Sequence, residues 1–359
     1  MFRPTVLLGM SGGVDSSVAA ALLVRQGFDV RAVTLQVWEH EDETAAASKK
    51  WQERGCCKVG IAKFVAKTLG IPYEVIDTRQ VFRKAVIDDF LQGYGAGSTP
   101  NPCVRCNERV KIRRLMELAD SRGIQYVATG HYVSTRQVSG WTLHRSADLR
   151  KDQSYFLYRL NSKWLPRLLF PVGGMQKSEV WKEAESLGLP ADELKESQEI
   201  CFVSQGDYRT FIESEMPQAK KPGAFVDQEG RYLGNHDGMA FYTPGQRRGL
   251  GIATGQRLYV QAVRPTTNTV VLGPEESLRH SDCRVSDLNL FDPSLLDQVT
   301  EAEVKVRYAS PAVVATMHPI NRATLHIHFH EPQRALSPGQ SAVFYRGDQV
   351  LGGGIIQAP

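Results

Sequence analysis

The run Gly9-Met10-Ser11-Gly12-Gly13-Val14-Asp15-Ser16-Ser17 constrains the fold of this chain more than any other stretch. Before it stands an apolar segment, Thr5 to Met10, that reads as a buried strand. After it Ser16 to Gln26 carries helical spacing, with Gly27 in the C-terminal capping position. A strand, a glycine turn and a helix in that order commit the N-terminal part to a parallel α/β sheet. Backbone amides of such a turn, with a helix N-terminus behind them, make a seat for a polyphosphate anion. The Gly-Lys-Ser/Thr ending of a Walker loop is missing. The hydroxyls of Ser11, Ser16 and Ser17 are therefore expected to help the amides hold the phosphates, with Asp15 positioning a magnesium ion. Two bare glycines would read as an ordinary turn, but SGGVDSS directly after a buried strand reads as a nucleotide site.

The alternation continues with strand Val30 to Val37, helix Val59 to Leu69, strand Tyr73 to Asp77, helices Val81 to Leu91 and Glu108 to Asp120, and strand Tyr126 to Thr129. Polar residues Glu41 to Arg54 read as a surface loop, and Gly93 to Pro102 as an irregular stretch. After about Asp207 the pattern turns to short alternating runs: Phe225 to Leu233, Leu258 to Val263 with Val270 to Leu272 across a turn at Thr267 and Asn268, Val304 to Arg307, Leu325 to Phe329, and Ala342 to Tyr345. The expected fold class is α/β. A Rossmann-like, parallel-sheet domain spans 1–206, a small linking domain 207–275, and a β-barrel, with a sandwich as the alternative, 276–359.

No apolar run approaches the roughly 18 residues of a spanning helix, so no membrane partner is expected. Six cysteines in 359 residues are too few for a disulfide framework and point to a reducing, cytoplasmic setting. The net charge of +4 permits an anionic partner without demanding one.

Asn101-Pro102-Cys103-Val104-Arg105-Cys106-Asn107 sets two thiols three positions apart, with Asn107 as the expected N-cap of the next helix. Cys106 would then sit at a helix N-terminus, where the dipole and Arg105, Arg109 and Lys111 favour its thiolate. No second Cys-x-x-Cys or Cys/His pair completes a zinc site. Arg109, Lys111, Arg113 and Arg114 read either as phosphate contacts or as the wet face of a helix whose Ile112, Leu115, Met116 and Ala119 face the core. Cys56 and Cys57 read as structural, and Cys283 carries no expected function. His326, His328 and His330 share one face of a strand, expected to be the solvent face, opposite Leu325, Ile327 and Phe329.

The phosphate loop resembles that of the ATP pyrophosphatases, a likeness that implies activation of a carbonyl oxygen by AMP transfer. It is followed in order by NPCVRCN, Gly130-His131-Tyr132, KDQSYFL from Lys151, SQEICF around Cys201, and GQRRGLG from Gly245. With that series the chain resembles the bacterial tRNA-specific 2-thiouridylases along nearly its whole length. The resemblance implies ATP contacts at Gly9, Met10, Ser11, Gly12, Gly13, Val14, Asp15, Ser16, Leu35 and Gly130. It makes Cys106 the nucleophile and Cys201 the persulfide carrier, with a disulfide between them left after turnover. Asn101, Pro102 and Cys103 would lie beside the target base. Lys151, Asp152, Gln153, Arg307 and Tyr308 would touch tRNA, supported by His131 and Gln340. ATP and Mg2+ are the implied cofactors, and the partners are tRNA and a sulfur donor, either a cysteine desulfurase relay protein or sulfide.

The chain departs from the commonest form of that family, in which an aspartate stands where Cys103 stands here. The third thiol opens a second route: Cys103, Cys106 and Cys201 could ligate three irons of a 4Fe-4S cluster, whose fourth iron binds hydrosulfide. Two other classes are open to this sequence. One is an amide-forming ATP pyrophosphatase that uses ammonia and needs no distant cysteine pair. The other is a non-catalytic, nucleotide-dependent RNA-binding protein, in which both cysteines are inert.

Overall fold

The computed structural model describes residues 3–38, 59–188, 200–203, 207–252 and 255–358. In chain order the elements are β1 (Thr5–Gly9), α1 (Val14–Arg25), β2 (Asp29–Gln36), α2 (Val59–Leu69), β3 (Tyr73–Asp77), α3 (Arg79–Phe82), α4 (Asp88–Gly95), α5 (Pro102–Cys106), α6 (Ile112–Ser121), β4 (Tyr126–Thr129), β5 (Val133–Gln137), β6 (Trp141–Arg145), α7 (Ser154–Leu157), β7 (Leu168–Leu169) and α8 (Lys177–Ser186). There follow α9 (Tyr208–Glu215), β8 (Gly223–Val226), β9 (Tyr232–His236), β10 (Tyr259–Arg264), β11 (Thr269–Gly273), β12 (Arg279–Leu290), β13 (Thr300–Lys305), β14 (Val313–Asn321), β15 (Thr324–Arg334), β16 (Ser341–Arg346) and β17 (Gln349–Ile356). The loop expected at Glu41 to Arg54, and Cys56 and Cys57, lie outside the described residues.

The chain divides into two compact units, the first made of Met1–Val86, Cys103–Ser204 and Asp348–Val350. Its sheet has the order β3-β2-β1-β4-β7, and the pairings β1–β2, β1–β4, β2–β3 and β4–β7 are all parallel. Val6, Leu7 and Leu8 of β1 are fully buried, as befits a parallel strand covered on both faces. On one face Val6 and Leu8 pack with Val18, Ala19 and Leu23 of α1, Ile61 and Val65 of α2, and Val180 and Ala184 of α8. The hairpin β5–β6 pairs antiparallel, and β6 continues onto Gln349 and Val350.

The second unit comprises Ile87–Pro102, Gln205–Gly347 and Leu351–Pro359. One sheet runs β10-β11-β8-β9. The expected hairpin of β10 and β11 turns at Asn268, whose φ of 49° is left-handed and whose Nδ2 donates to the Lys221 and Pro222 carbonyls at 3.2 and 2.9 Å. Phe225 to Leu233, read as one run, is instead the hairpin β8–β9, broken at a turn where the Gly230 N–H donates to the Asp227 carbonyl. In the rest of the unit the order is β12-β15-β14-β13-β16-β17, and β17 returns to pair with β12, from Val285 opposite Ile356. The sheet thus closes on itself as a barrel, around Val304, Met317, Ile327, Phe329 and Phe344. His326, His328 and His330 point outward, with the rings of His326 and His328 against Asp282 at 3.1 and 2.9 Å. No helix among the described residues is long and apolar enough to cross a membrane.

Leu8→Ala leaves a hole where the sheet meets α1, and the cost expected is about 2–5 kcal/mol. Urea unfolding measures it, and a loss below about 1 kcal/mol would mean that β1 is not the packing centre.

Candidate active site

In the first unit β1 pairs with β2 on one side and β4 on the other, so chain order reverses at β1. The crevice beyond the carboxyl ends of strands at such a point is where α/β sheets bind ligands. The sequence-derived nucleotide residues gather there: Gly9 to Ser16 at the end of β1, Leu35 near the end of β2, and Gly130 just after β4. Gly12 has a φ of 73°, which lets the chain turn out of β1 into α1. A Cβ on Gly130 would lie 2.6 Å from the Ser16 nitrogen and 2.7 Å from the Asp15 carbonyl carbon. Only glycine allows β4 to approach the loop this closely.

The hydroxyls of Ser16 and Ser17 both donate to the Gly13 carbonyl, at 3.0 Å, and Ser17 is fully buried. The Ser11 N–H donates to Ser16 Oγ at 3.2 Å. In this structure these bonds close the loop on itself. A strand-to-helix turn of this kind also offers an anion backbone amides and a helix N-terminus.

Asp15 holds a lysine. Its Oδ1 accepts from Lys177 Nζ at 2.6 Å and from the Tyr132 hydroxyl at 2.8 Å. Lys177 opens α8, is only 8% exposed, and sits 5.5 Å from the Tyr132 ring centroid and 5.3 Å from that of Trp181. The loop therefore has the cation that its own sequence lacks, supplied from 162 residues downstream. Sequence reading missed it because no local pattern marks a lysine at the start of an ordinary helix. Asp15, expected from the sequence to position a magnesium ion, here holds Lys177 and Tyr132.

The helix after the cysteines begins earlier than expected. α5, a π-helical segment Asn107–Lys111 and α6 are consecutive, so Cys106 lies inside a helical run and not at its N-terminus. Asn107 is no cap: its Nδ2 donates to the Cys103 carbonyl four residues back, at 3.1 Å. Without the helix-end dipole, burial decides the chemistry of Cys106 and pushes its thiol up to about 12. The Lys111 cation opposes that shift, while charge on Cys201 or Cys103 adds to it. Burial also raises Cys103, again against Lys111. Cys201, by contrast, is exposed. The other basic residues have acidic neighbours: Arg105 with Glu108 at 3.0 Å, Arg109 with Glu108 at 3.7 Å, and Arg113 and Arg114 with Glu117.

Among the described residues no group of three His, Cys, Asp or Glu side chains is arranged to hold a metal ion. Cys103 and Cys201 both act on the charge of Cys106, so the three thiols share a neighbourhood without the arrangement of a metal site.

The other sequence-derived positions split by unit. In the first, His131 Nδ1 lies 2.7 Å from Thr129 Oγ1, and burial with the Lys111 charge pulls its ring down to about 3, so it is neutral at physiological pH. Asp152 is buried and accepts from the Ser146 and Ser154 amides and the Ser154 hydroxyl. Gln153 exchanges two hydrogen bonds with the backbone of Tyr132, both 2.9 Å. Lys151 donates its backbone N–H to Asp148. Asp152 and Gln153 thus shape the loop that bears Lys151. In the second unit, one guanidinium nitrogen of Arg307 donates to the Ala335 carbonyl at 2.8 Å and Ser337 Oγ at 2.9 Å. Tyr308 is exposed, with Lys305 Nζ 5.3 Å from its ring. Asn101, Pro102 and Gln340 belong to this unit too.

Three family models match the chain: the tRNA methyl transferase HUP domain over residues 4–205, the tRNA methyl transferase PRC-barrel domain over 209–274, and the aminomethyltransferase beta-barrel domain over 280–356. The tRNA-specific 2-thiouridylase MnmA of Pelotomaculum thermopropionicum is 43% identical over 364 aligned positions, covering 100% of this chain and 98% of that protein. The protein of the same name from Heliobacterium modesticaldum is 44% identical, covering 99% and 92%. A solved U34-tRNA thiolase, NcsA from Methanococcus maripaludis with its [4Fe-4S] cluster, matches at 20% identity and a TM-score of 0.33, covering 61% of this chain and 67% of that one.

A buried thiol titrating near 12 is alkylated slowly at neutral pH. Iodoacetamide should label exposed Cys201 first, and labelling of Cys106 should accelerate about tenfold per pH unit between about pH 7 and pH 9. Lys111→Met removes the opposing cation and should slow Cys106 further. Mass spectrometry of the labelled peptides decides, and equal, pH-independent rates would overturn this electrostatic account.

Proposed function

This chain belongs to the tRNA-specific 2-thiouridylase family, and from that premise we propose how its own residues thiolate a tRNA uridine at the expense of ATP. It is a tRNA sulfurtransferase. Two of the family models carry methyl transfer in their descriptions, whereas the full-length relatives are 2-thiouridylases. A loop for a polyphosphate and a pair of unlike cysteines suit the second chemistry. The substrate position we propose is C2 of the wobble uridine, in the lysine, glutamate and glutamine tRNAs.

The carrying observation is the asymmetry of the thiols. Cys201 is exposed, Cys106 is buried, and Cys201 enters the electrostatics of Cys106 within the unit that bears the phosphate loop. An exposed sulfur can be loaded by an outside relay protein that carries a persulfide, whose terminal sulfur passes to the Cys201 thiolate as the relay thiolate leaves. A buried one is kept from wasteful oxidation until it is needed.

A uracil C2 oxygen is a poor leaving group. In the proposed sequence it attacks the α-phosphorus of ATP, and pyrophosphate departs into the amides of Gly12 to Ser16, with the Lys177 cation beside it. The terminal sulfur of a Cys201 persulfide then adds to C2, and AMP leaves with the former C2 oxygen. Cys106, as thiolate, attacks the inner sulfur of Cys201. The S–S bond to the base breaks, its electron pair stays on the base sulfur, and a Cys106–Cys201 disulfide remains for an external thiol to reduce. Lys111 favours the Cys106 thiolate in that last step. Neutral His131 is placed to hydrogen-bond without adding charge, and Asn101, Pro102 and Cys103 form the neighbourhood of the base. The base must leave its stack to be reached. Phosphates of the tRNA fall to exposed or half-exposed groups such as Lys151 and Tyr308.

The test is a reaction of purified protein with ATP, a sulfur donor, a thiol reductant and unmodified tRNA, read as thionucleoside and pyrophosphate. Cys106→Ser and Cys201→Ser should each stop thiolation, while Cys103→Ala should retain it. Near-normal thiolation by either serine variant would remove that cysteine from the mechanism, and loss in Cys103→Ala would bring the third thiol back. Lys177→Met should cut pyrophosphate release about a hundredfold, the scale of losing one transition-state donor, with tRNA affinity unchanged. Undiminished release would remove Lys177 from the phosphate site.

A further inference from the structure

Two residues assigned to tRNA by resemblance have internal work within the second unit. Gln340 Nε2 donates to the Thr99 carbonyl at 2.9 Å. From the same turn the Pro338 carbonyl accepts the Thr99 N–H at 2.7 Å. Thr99 is buried and is held through both sides of its backbone. The turn is made to come close: Gly339 has a φ of 89°, and a Cβ there would lie 2.9 Å from the Thr99 nitrogen.

The turn is itself tied down. Arg307 binds the Ala335 carbonyl and Ser337 Oγ, the Gln340 N–H donates to the Ser337 carbonyl at 3.2 Å, and the Gln340 carbonyl accepts from Ile356 at 2.8 Å in β17. Arg307 and Gln340 therefore belong to one hydrogen-bonded frame, rooted in the barrel, whose outer contact is Thr99. Two residues further along the chain stand Asn101 and Pro102, and then Cys103.

We infer that Gln340 is a positioning residue whose amide, acting with the Pro338 carbonyl, fixes the segment that presents Asn101 and Pro102 to the target base. The inference rests on the proposed place of that segment beside the base. Arg307 acts one step back, holding the turn through Ser337. A group that orients a substrate loop changes the rate on bound substrate. A group that touches tRNA phosphate changes affinity and its salt dependence.

Gln340→Met removes the donor at similar length, and Gln340→Glu removes it while placing an acceptor against the Thr99 carbonyl. Three quantities are read for both variants and the wild type: tRNA affinity, single-turnover thiolation at saturating tRNA and ATP, and amide hydrogen exchange at Thr99. Expected are an affinity within about twofold of wild type, thiolation slower by about ten- to a hundredfold, and faster exchange at Thr99. An affinity loss of tenfold with an unchanged saturating rate would overturn the inference and return Gln340 to direct tRNA contact. Unchanged rate and exchange would overturn it as well. If the wild type fails to thiolate, the functional reading fails alone, because Thr99 exchange still reports whether the amide holds the segment.

Discussion

Strand β1 is hydrogen-bonded on both sides and buried on both faces, and the chemistry of the first unit depends on where it ends. A strand so enclosed has no freedom to shift, so Gly9 to Gly13 leave the sheet at a fixed point beyond its carboxyl end. β4 runs parallel beside it and delivers Gly130 against Ser16, then His131 and Tyr132. Tyr132 in turn meets Asp15, and Asp15 meets Lys177 at the head of α8. A nucleotide site with anion-binding amides and a nearby cation thus follows from one interior strand and two helix starts.

Burial works on the sulfur chemistry in the opposite sense. The same close packing that fixes Cys106 makes its charged form costly, and Lys111 answers only part of that cost. In the proposed mechanism a nucleophile held as thiol in the free chain, with an exposed partner to be loaded, gives the reaction an order: the exposed sulfur is charged first, and the buried one acts afterwards. The π-helical segment that follows Cys106 is a local departure from α geometry of the kind often found at functional positions.

The fold was largely legible, and for plain reasons. Buried parallel strands read as apolar runs, so β1, β2, β3 and β4 were placed within a residue or two, and the 3.6-residue period gave α2 its bounds. Alternation found the outward histidines of β15. Barrel closure was less legible than strand content, since pairing of β17 with β12 joins segments far apart in sequence. In the site, the motif located the loop and missed what completes it. Lys177 sits in a commonplace helix start, and Asn107 was read as a cap because asparagine before an amphipathic run usually is one. That misreading carried the wrong sign for the Cys106 thiol. Arg307, Gln340 and Asp152 show the same limit, because a polar residue in a turn reads alike whether it faces solvent or holds the backbone.

The central claim is that the uracil C2 oxygen, and no protein group, takes the AMP. Its most direct test follows that atom. With tRNA carrying 18O at C2 of the wobble uridine, one turnover in the presence of ATP and a sulfur donor is quenched and the AMP is weighed. The account expects one 18O in the AMP for each thiouridine formed. Unlabelled AMP, with the heavy oxygen lost to water or kept in the base, would contradict it.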